Sequence, residues 1–253
     1  MVFGTVQLAF AYLGSDGTGA PDGQGGAVAR YLAVPGTQLV GAGPVRSDPA
    51  IARGAYIAYD VLVNAVGVWE ASATADIRGG VEPIRVSATF RVAALPALPS
   101  VGGQAIPVDN PTLGSHVPAS QIDSRAIGGT PVPDPWLHRW SVRDALAAHR
   151  PILLLFSTPA YCRSQVCGPQ TDRMAALAKT YADRAVFIHG EVWRNIHTAA
   201  LSPAATAWLL HSGVLNEPWL YLIDVNGTII DRWPPLLFDW AQVTAELARL
   251  PKG

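Results

Sequence analysis

Two cysteines, Cys162 and Cys167, are the residues with the clearest capacity for chemistry in this chain of 253 residues. They lie in the stretch "FSTPAYCRSQVCGPQ", which follows the apolar run "PILLLF" and precedes a segment with helical periodicity. Two thiols this close in sequence can form a redox-active disulfide, a structural disulfide or part of a metal site. The spacing alone leaves all three open.

The expected order of strand, cysteine loop and helix favours the redox pair. A thiol at the start of a helix meets unpaired backbone N–H groups and the positive end of the helix dipole, and both favour the thiolate. The thiolate is the attacking species in disulfide exchange, and a second thiol nearby resolves the mixed disulfide. Because Cys162 and Cys167 are the only two cysteines and share one loop at a helix start, we expect them to be bonded to each other. We predict no metal site and no cofactor.

The composition excludes several other classes of protein. Eighteen basic and nineteen acidic side chains leave the chain near neutrality without a basic stripe, so we expect no nucleic-acid partner. Apolar residues make up 49% of the chain and charged residues 15%, which indicates folded domains with real cores. No apolar run approaches the ~18 residues that cross a bilayer. Contact with a membrane is expected only through an anchor segment outside this chain.

Residues 1–92 have the pattern of an all-β domain. Stretches such as "TVQLAFAYL", "GVWEASATADI" and "IRVSATFRV" alternate with period two, and turn-rich pieces such as "GSDGTGAPDGQGG" separate them. Several short strands over this length favour an immunoglobulin-like sandwich. Trp69 stands between small residues and is the expected anchor of its core.

Residues 93–137 form a segment with a proline or glycine every few positions. Proline removes a backbone donor and blocks both helices and strand ladders, so we expect an extended linker here. A structureless stretch of this length is uncommon inside one compact domain, which places a domain boundary in it.

Residues 138–253 alternate helical and strand patterns in the order α-β-α-β-α-β-β-α. The first helix starts at a capping box formed by Ser141 and Asp144, and Pro169 is the predicted first residue of the helix after the cysteines. Asn226 and Gly227 mark the turn of a hairpin near the end of the chain. An α/β domain with two parallel strands and a closing antiparallel hairpin is predicted.

Two stretches of this domain resemble thioredoxin-like proteins: "RPILLLFSTPAYC", continued by "CGP", and "NEPWLYLIDVNGTIIDRW". In that family a cis-proline begins the hairpin and faces the redox cysteines, and Pro218 occupies the matching position. The resemblance implies that Glu217, Pro218 and Trp219 line a substrate groove. Together with the N-terminal domain and the linker, the chain resembles exported bacterial proteins that carry a C-terminal thioredoxin-like domain.

The cysteine spacing departs from the C-x-x-C of the redox family, because four residues separate Cys162 from Cys167. Either Cys162 is the nucleophile with extra residues before its partner, or "CGPQ" overlays the family's C-G-P-C and Cys167 holds the nucleophile position. The strand before the cysteines also lacks the buried acid that thioredoxins use as proton acceptor. Glu191 or His189, at the end of the next strand, are the candidate substitutes.

The first hypothesis is an exported thiol-disulfide oxidoreductase, at the cell surface or outside the cell, that acts on protein thiols and disulfides. The alternative is a non-catalytic cell-surface binding or structural module in which the disulfide is structural. This alternative stays open because a fold does not establish a function. Third is a copper-handling protein similar to the Sco type, which adds a histidine to a cysteine pair on this fold.

Overall fold

The computed structural model describes residues 6–14, 29–33, 39–40, 55–56, 65–75, 82, 84–162, 166–235 and 238–252. The chain divides into two compact units. The first consists of Met1–Ala42 and Gly54–Pro96, and the second of Gly43–Arg53 and Ala97–Gly253. Among the described residues, no helix has the length and apolar character needed to cross a membrane.

The first unit contains β1 (Val6–Gly14), β2 (Ala29–Ala33), β3 (Leu39–Val40), β4 (Ala55–Tyr56), β5 (Gly67–Ala75) and β6 (Ile84–Val92). Four of these form an antiparallel sheet of order β2-β1-β5-β6, and β3 pairs with β4. Trp69 is fully buried and its Nε1 donates a hydrogen bond to the Ala65 carbonyl at 3.0 Å, so its predicted place in the core is confirmed. Most of the predicted turn-rich piece lies outside the described residues, and the immunoglobulin-like sandwich stays a prediction.

The second unit contains four helices among its described residues: α1 (Val142–Ala147), α2 (Cys167–Tyr181), α3 (Pro203–Leu209) and α4 (Trp240–Arg249). Its strands are β7 (Ile152–Ser157), β8 (Val186–Glu191), β9 (Trp193–Asn195), β10 (Ala200–Leu201), β11 (Leu210–His211), β12 (Val214–Leu215), β13 (Trp219–Ile223) and β14 (Ile229–Trp233). Short 3-10 turns cover Ala119–Gln121 and Pro135–His138.

The main sheet of this unit has the order β14-β13-β7-β8. The central strand β7 runs parallel to β8 and antiparallel to β13, and all six of its residues are buried. Apolar residues of α1 and α3 pack on one face of the sheet, and those of α2 and α4 pack on the other. Because β7 is covered on both faces, its uninterrupted apolar sequence is the pattern that such a strand requires.

Local sequence signals set several element boundaries. Ser141 Oγ accepts a hydrogen bond from the Asp144 N–H at 3.0 Å, which is the predicted cap of α1. Gly227 has a φ of 78° in the turn between β13 and β14, and its N–H donates to the Asp224 carbonyl at 3.1 Å. Val225 and Asn226 are therefore the central residues of the turn and Gly227 follows them, so the predicted two-residue Asn226-Gly227 turn is one position out. The helix α2 begins at Cys167, two residues before Pro169, so the predicted start at Pro169 is wrong by two residues. A proline there loses no hydrogen bond, because the first four N–H groups of a helix have no partner within it.

The segment predicted as a linker packs into the second unit from Ala97 onward. Its prolines keep it largely free of regular structure. Its backbone nevertheless forms hydrogen bonds with the β13–β14 hairpin: the Gly102 N–H donates to the Ile229 carbonyl at 2.9 Å, and the Ala105 N–H donates to the Gly227 carbonyl at 2.8 Å. Further buried residues of the segment include Ile122, Asp123, Ser124, Ala126 and Leu137. The compact unit thus starts well before residue 138.

Candidate functional site

The cysteine loop connects the end of β7 to the start of α2. A disulfide joins Cys162 to Cys167, with the Cα atoms 5.9 Å apart, so the predicted pairing is confirmed. Cys167 is fully buried, whereas Cys162 is partly exposed. Residues 163–165, between the two, lie outside the described part of the chain. Of the two cysteines, Cys162 is therefore the more accessible to solvent.

Hydrogen bonds fix the first turn of α2 to the end of β7. The Thr171 hydroxyl donates to the Cys167 carbonyl at 2.8 Å, and the Ser157 Oγ lies 2.8 Å from the Thr171 Oγ1. Since the Thr171 proton is used on the carbonyl, Ser157 is the donor of the second bond. Cys167 is thereby held as the first residue of a helix of 15 residues, where the helix dipole and free N–H groups stabilise a thiolate.

Glu191 is the last residue of β8, and its buried carboxylate is bound by four donors. These are the Ser124 N–H at 2.8 Å, the Val192 N–H at 3.0 Å, the Trp193 N–H at 3.4 Å and the Thr158 hydroxyl. The Thr158 carbonyl accepts the Cys162 N–H at 3.0 Å, so one residue links Glu191 to the cysteine loop. Burial raises the pKa of Glu191 to about 7, against the opposing effect of the bonds from Thr158 and Ser124. Such a carboxyl group can exchange a proton near neutral pH.

Glu217 and Pro218 precede β13, whose first residue, Trp219, pairs with Phe156 of β7. The Glu217–Pro218 peptide bond is cis, as predicted. Oε2 of Glu217 is buried and has no hydrogen-bond partner among the described residues. Burial, followed by the negative charge of Glu191, raises the pKa of Glu217 to about 7. The charge of Glu191 therefore disfavours ionisation of Glu217 at the same end of the sheet.

Trp219 is half-buried and packs on its own sheet. Its ring lies nearly parallel to that of Tyr221, with centroids 5.9 Å apart, and the Arg232 guanidinium carbon is 5.4 Å from the indole centroid. These contacts hold the indole in one orientation beside Pro218. Its role in a substrate groove stays a prediction.

His189 does not lie in this group of carboxyl residues. It is fully buried, with Nε2 at 3.2 Å from the Ser157 carbonyl and Nδ1 at 3.6 Å from Oδ2 of Asp123. His138 is also fully buried, and its Nε2 is 3.4 Å from the same Asp123 oxygen. The two imidazole rings meet edge to face with centroids 5.2 Å apart. Burial lowers the pKa of His189 to about 3, although Asp123 acts in the opposite direction.

Arg125 completes this cluster and connects it to α2. Its Nη2 lies 2.8 Å from Oδ2 of Asp123 and 3.1 Å from Asp134, and its Nη1 lies 3.0 Å from Asp172 on α2. Burial of Asp123 opposes ionisation, but His138 and Arg125 hold the pKa of this carboxyl group well below its usual range. These contacts therefore favour the ionised form of Asp123 in the folded protein.

The structure brings Glu191 to the cysteine loop and Glu217 close to Glu191, but places His189 against Asp123 and His138. The sequence did not reveal Asp123 and Arg125, because both lie in the segment predicted as a linker. The only local signals are an acid and a base two positions apart in "QIDSRA" and a histidine in "PWLHRW", which are common on protein surfaces.

Comparisons with known protein families, with curated proteins and with solved structures found no match for this chain. Two groups of residues therefore bear on its function. One is the cysteine loop with Glu191 and Glu217, and the other is the buried cluster of Asp123, Arg125, His138 and His189.

Proposed function

We propose that residues 138–253 form a thioredoxin-like domain and that the protein exchanges disulfides with protein thiols through Cys162 and Cys167. The observation that carries the proposal is the asymmetry of the disulfide: one cysteine is accessible, and the other is buried at the first position of a long helix. This is the arrangement that exchange needs, because the two cysteines have different tasks.

In the proposed reaction a substrate thiolate attacks the sulfur of Cys162. The Cys162–Cys167 bond breaks, a mixed disulfide forms at Cys162, and Cys167 leaves as a thiolate stabilised by the start of α2. A second substrate thiolate then attacks the substrate sulfur of the mixed disulfide and releases Cys162. The substrate dithiol loses two electrons and two protons, which the cysteine pair gains, and the reverse sequence reduces a substrate disulfide.

The roles expected from the sequence for neighbouring residues belong to the same proposal. Glu191, tied to the cysteine loop through Thr158, is the candidate proton acceptor. Glu217, Pro218 and Trp219 are the candidate groove residues. The proposal includes an exported location, at the cell surface or outside the cell, because disulfides form and persist in oxidising compartments.

The test measures reduction of insulin by dithiothreitol and refolding of a scrambled disulfide substrate. The wild-type protein is expected to accelerate both, and Cys162→Ser and Cys167→Ser are each expected to abolish the activity. The two variants should also differ in how much mixed disulfide they accumulate with a substrate. Cys167→Ser retains the accessible thiol and should accumulate a mixed disulfide with substrate, whereas Cys162→Ser retains only the buried thiol and should trap far less.

The result that overturns the proposal is a wild-type protein without activity in either assay. In that case the disulfide is structural, and each serine variant should instead lower the free energy of unfolding. The loss expected for such a short closed loop is about 2 kcal/mol. That outcome would favour the non-catalytic binding or structural module.

A further inference from the structure

We propose that Asp123, His138 and His189 bind a divalent transition-metal ion of the zinc class. Each of the three offers one ligand atom, these atoms all lie within 4.8 Å of one another, and all three residues are buried. Two imidazole nitrogens and one carboxylate oxygen suit Zn²⁺ and related ions, whereas Ca²⁺ and Mg²⁺ prefer oxygen ligands alone.

The distances between the ligand atoms fit such an ion. Atoms bound at 2.0–2.2 Å to a tetrahedral ion are separated from one another by roughly 3.3–3.6 Å. Oδ2 of Asp123 lies 3.4 Å from His138 Nε2 and 3.6 Å from His189 Nδ1. Both separations are long for a hydrogen bond but match two edges of the coordination tetrahedron.

The hydrogen bond of His189 prepares it as a ligand. A carbonyl oxygen only accepts, so the Nε2 that lies 3.2 Å from the Ser157 carbonyl carries the proton. In the neutral ring Nδ1 is then an unprotonated lone pair, and it faces a carboxylate oxygen of Asp123. Two lone pairs in a buried site repel each other, and a cation between them turns the repulsion into attraction. A backbone carbonyl that orients the far nitrogen is the usual partner of a metal-binding histidine.

His138 supports the same conclusion independently. The residue has no exposed surface, and neither of its ring nitrogens has a hydrogen-bond partner among the described residues. Buried polar groups in folded proteins are nearly always satisfied, so an imidazole that makes no well-formed hydrogen bond among the described residues requires an explanation. Coordination through Nε2 supplies one, because that atom already faces Asp123.

The charges around the site also balance with a divalent ion. Arg125 is paired with three carboxylates, those of Asp123, Asp134 and Asp172, so the network carries a net charge of −2 when the histidines are neutral. One divalent cation neutralises it. Arg125 binds both oxygens of the Asp123 carboxylate, with Nε at 3.0 Å from Oδ1 and Nη2 at 2.8 Å from Oδ2, and so fixes Oδ2 beside the two imidazole rings.

The experiment uses the full chain without a histidine tag, with the disulfide intact so that no thiol competes for metal. After stripping with a chelator, the protein is titrated with Zn²⁺ and Co²⁺ by calorimetry and absorption spectroscopy. We expect one equivalent per chain in the micromolar range or tighter, and visible Co²⁺ bands of low coordination number. His189→Gln and Asp123→Asn should each weaken binding at least about tenfold.

His197→Gln is the matched control, because His197 is exposed and belongs to no cluster described above. It should leave the affinity unchanged. Should the ligand variants fail to fold, the thermal unfolding of the wild-type protein decides, since a saturating ion that binds only the folded state raises Tm. A folded, stripped wild-type protein that takes up no Zn²⁺ or Co²⁺, or whose binding survives His189→Gln unchanged, would overturn the proposal.

Discussion

Glu217 provides the sharpest test of the electrostatics at the end of the sheet. Its Oε2 is buried without a hydrogen-bond partner among the described residues, and burial together with the charge of Glu191 raises its pKa to about 7. Glu217→Gln keeps the shape of the side chain but cannot ionise. We therefore expect the variant to be more stable than the wild-type protein at high pH and similar to it at low pH.

The magnitude follows from the two pKa values of this residue. A rise from 4.5 in the unfolded chain to about 7 in the folded protein corresponds to about 3 kcal/mol of unfolding free energy. Below pH 4.5 both states are protonated and the group costs nothing. Between pH 4.5 and about 7 only the folded state holds the proton, so stability falls as the pH rises. Above pH 7 the full cost is present, and Glu217→Gln should recover up to that amount.

The assay is urea unfolding at pH 4, 6 and 8.5, followed by tryptophan fluorescence. Of the eight tryptophans only Trp69 belongs to the first unit, so the signal reports mainly on the second. Glu82→Gln, at an exposed position of the first unit, is the control and should change nothing. A difference between Glu217→Gln and the wild-type protein that stays the same at pH 4 and pH 8.5 would refute the reasoning, because it could not come from ionisation.

Two further predictions concern packing. A Cβ on Gly190 would lie 2.6 Å from Cε1 of the buried Phe156 ring, so Gly190→Ala should lower the unfolding free energy of the second unit by about 1–3 kcal/mol in the same urea assay. Unchanged stability would mean that the ring moves aside freely. Trp69→Ala should cost the first unit about 3–5 kcal/mol, because the indole is fully buried and bonded to Ala65. The loss of stability is measured by thermal unfolding followed through the circular dichroism of the β-sheet. An unshifted transition would contradict the placement of Trp69 in the core.

The parts of the fold that the sequence predicted well rest on local signals. The cap of α1 depends on Ser141 and Asp144, which are three residues apart, and the hairpin turn depends on the conformational freedom of Gly227. The pairing of Cys162 with Cys167 follows because the chain has no other cysteine. In each case the partners are close in sequence or are the only ones available, so no knowledge of the tertiary structure was needed.

The contacts that the sequence could not predict join distant positions through irregular backbone. Ser124 lies in the segment predicted as a linker, yet its N–H binds the Glu191 carboxylate and its Oγ accepts the Ala160 N–H at 3.1 Å. Such a segment shows no periodicity, since no regular face repeats along it. The position of each of its side chains is set by where the backbone crosses the folded unit. A stretch rich in proline therefore supplies part of the candidate site while its composition is that of a spacer.

Ser157 connects the two clusters and shows why they have to be considered together. Its carbonyl accepts the His189 Nε2 proton, and its hydroxyl donates to Thr171, whose own hydroxyl holds the Cys167 carbonyl. A residue at the end of the central strand thus orients a candidate metal ligand and anchors the helix turn that carries the buried cysteine. The cysteine pair identifies the site in the sequence, but the position of the helix that carries Cys167 depends on hydrogen bonds of Ser157, which also binds the buried His189.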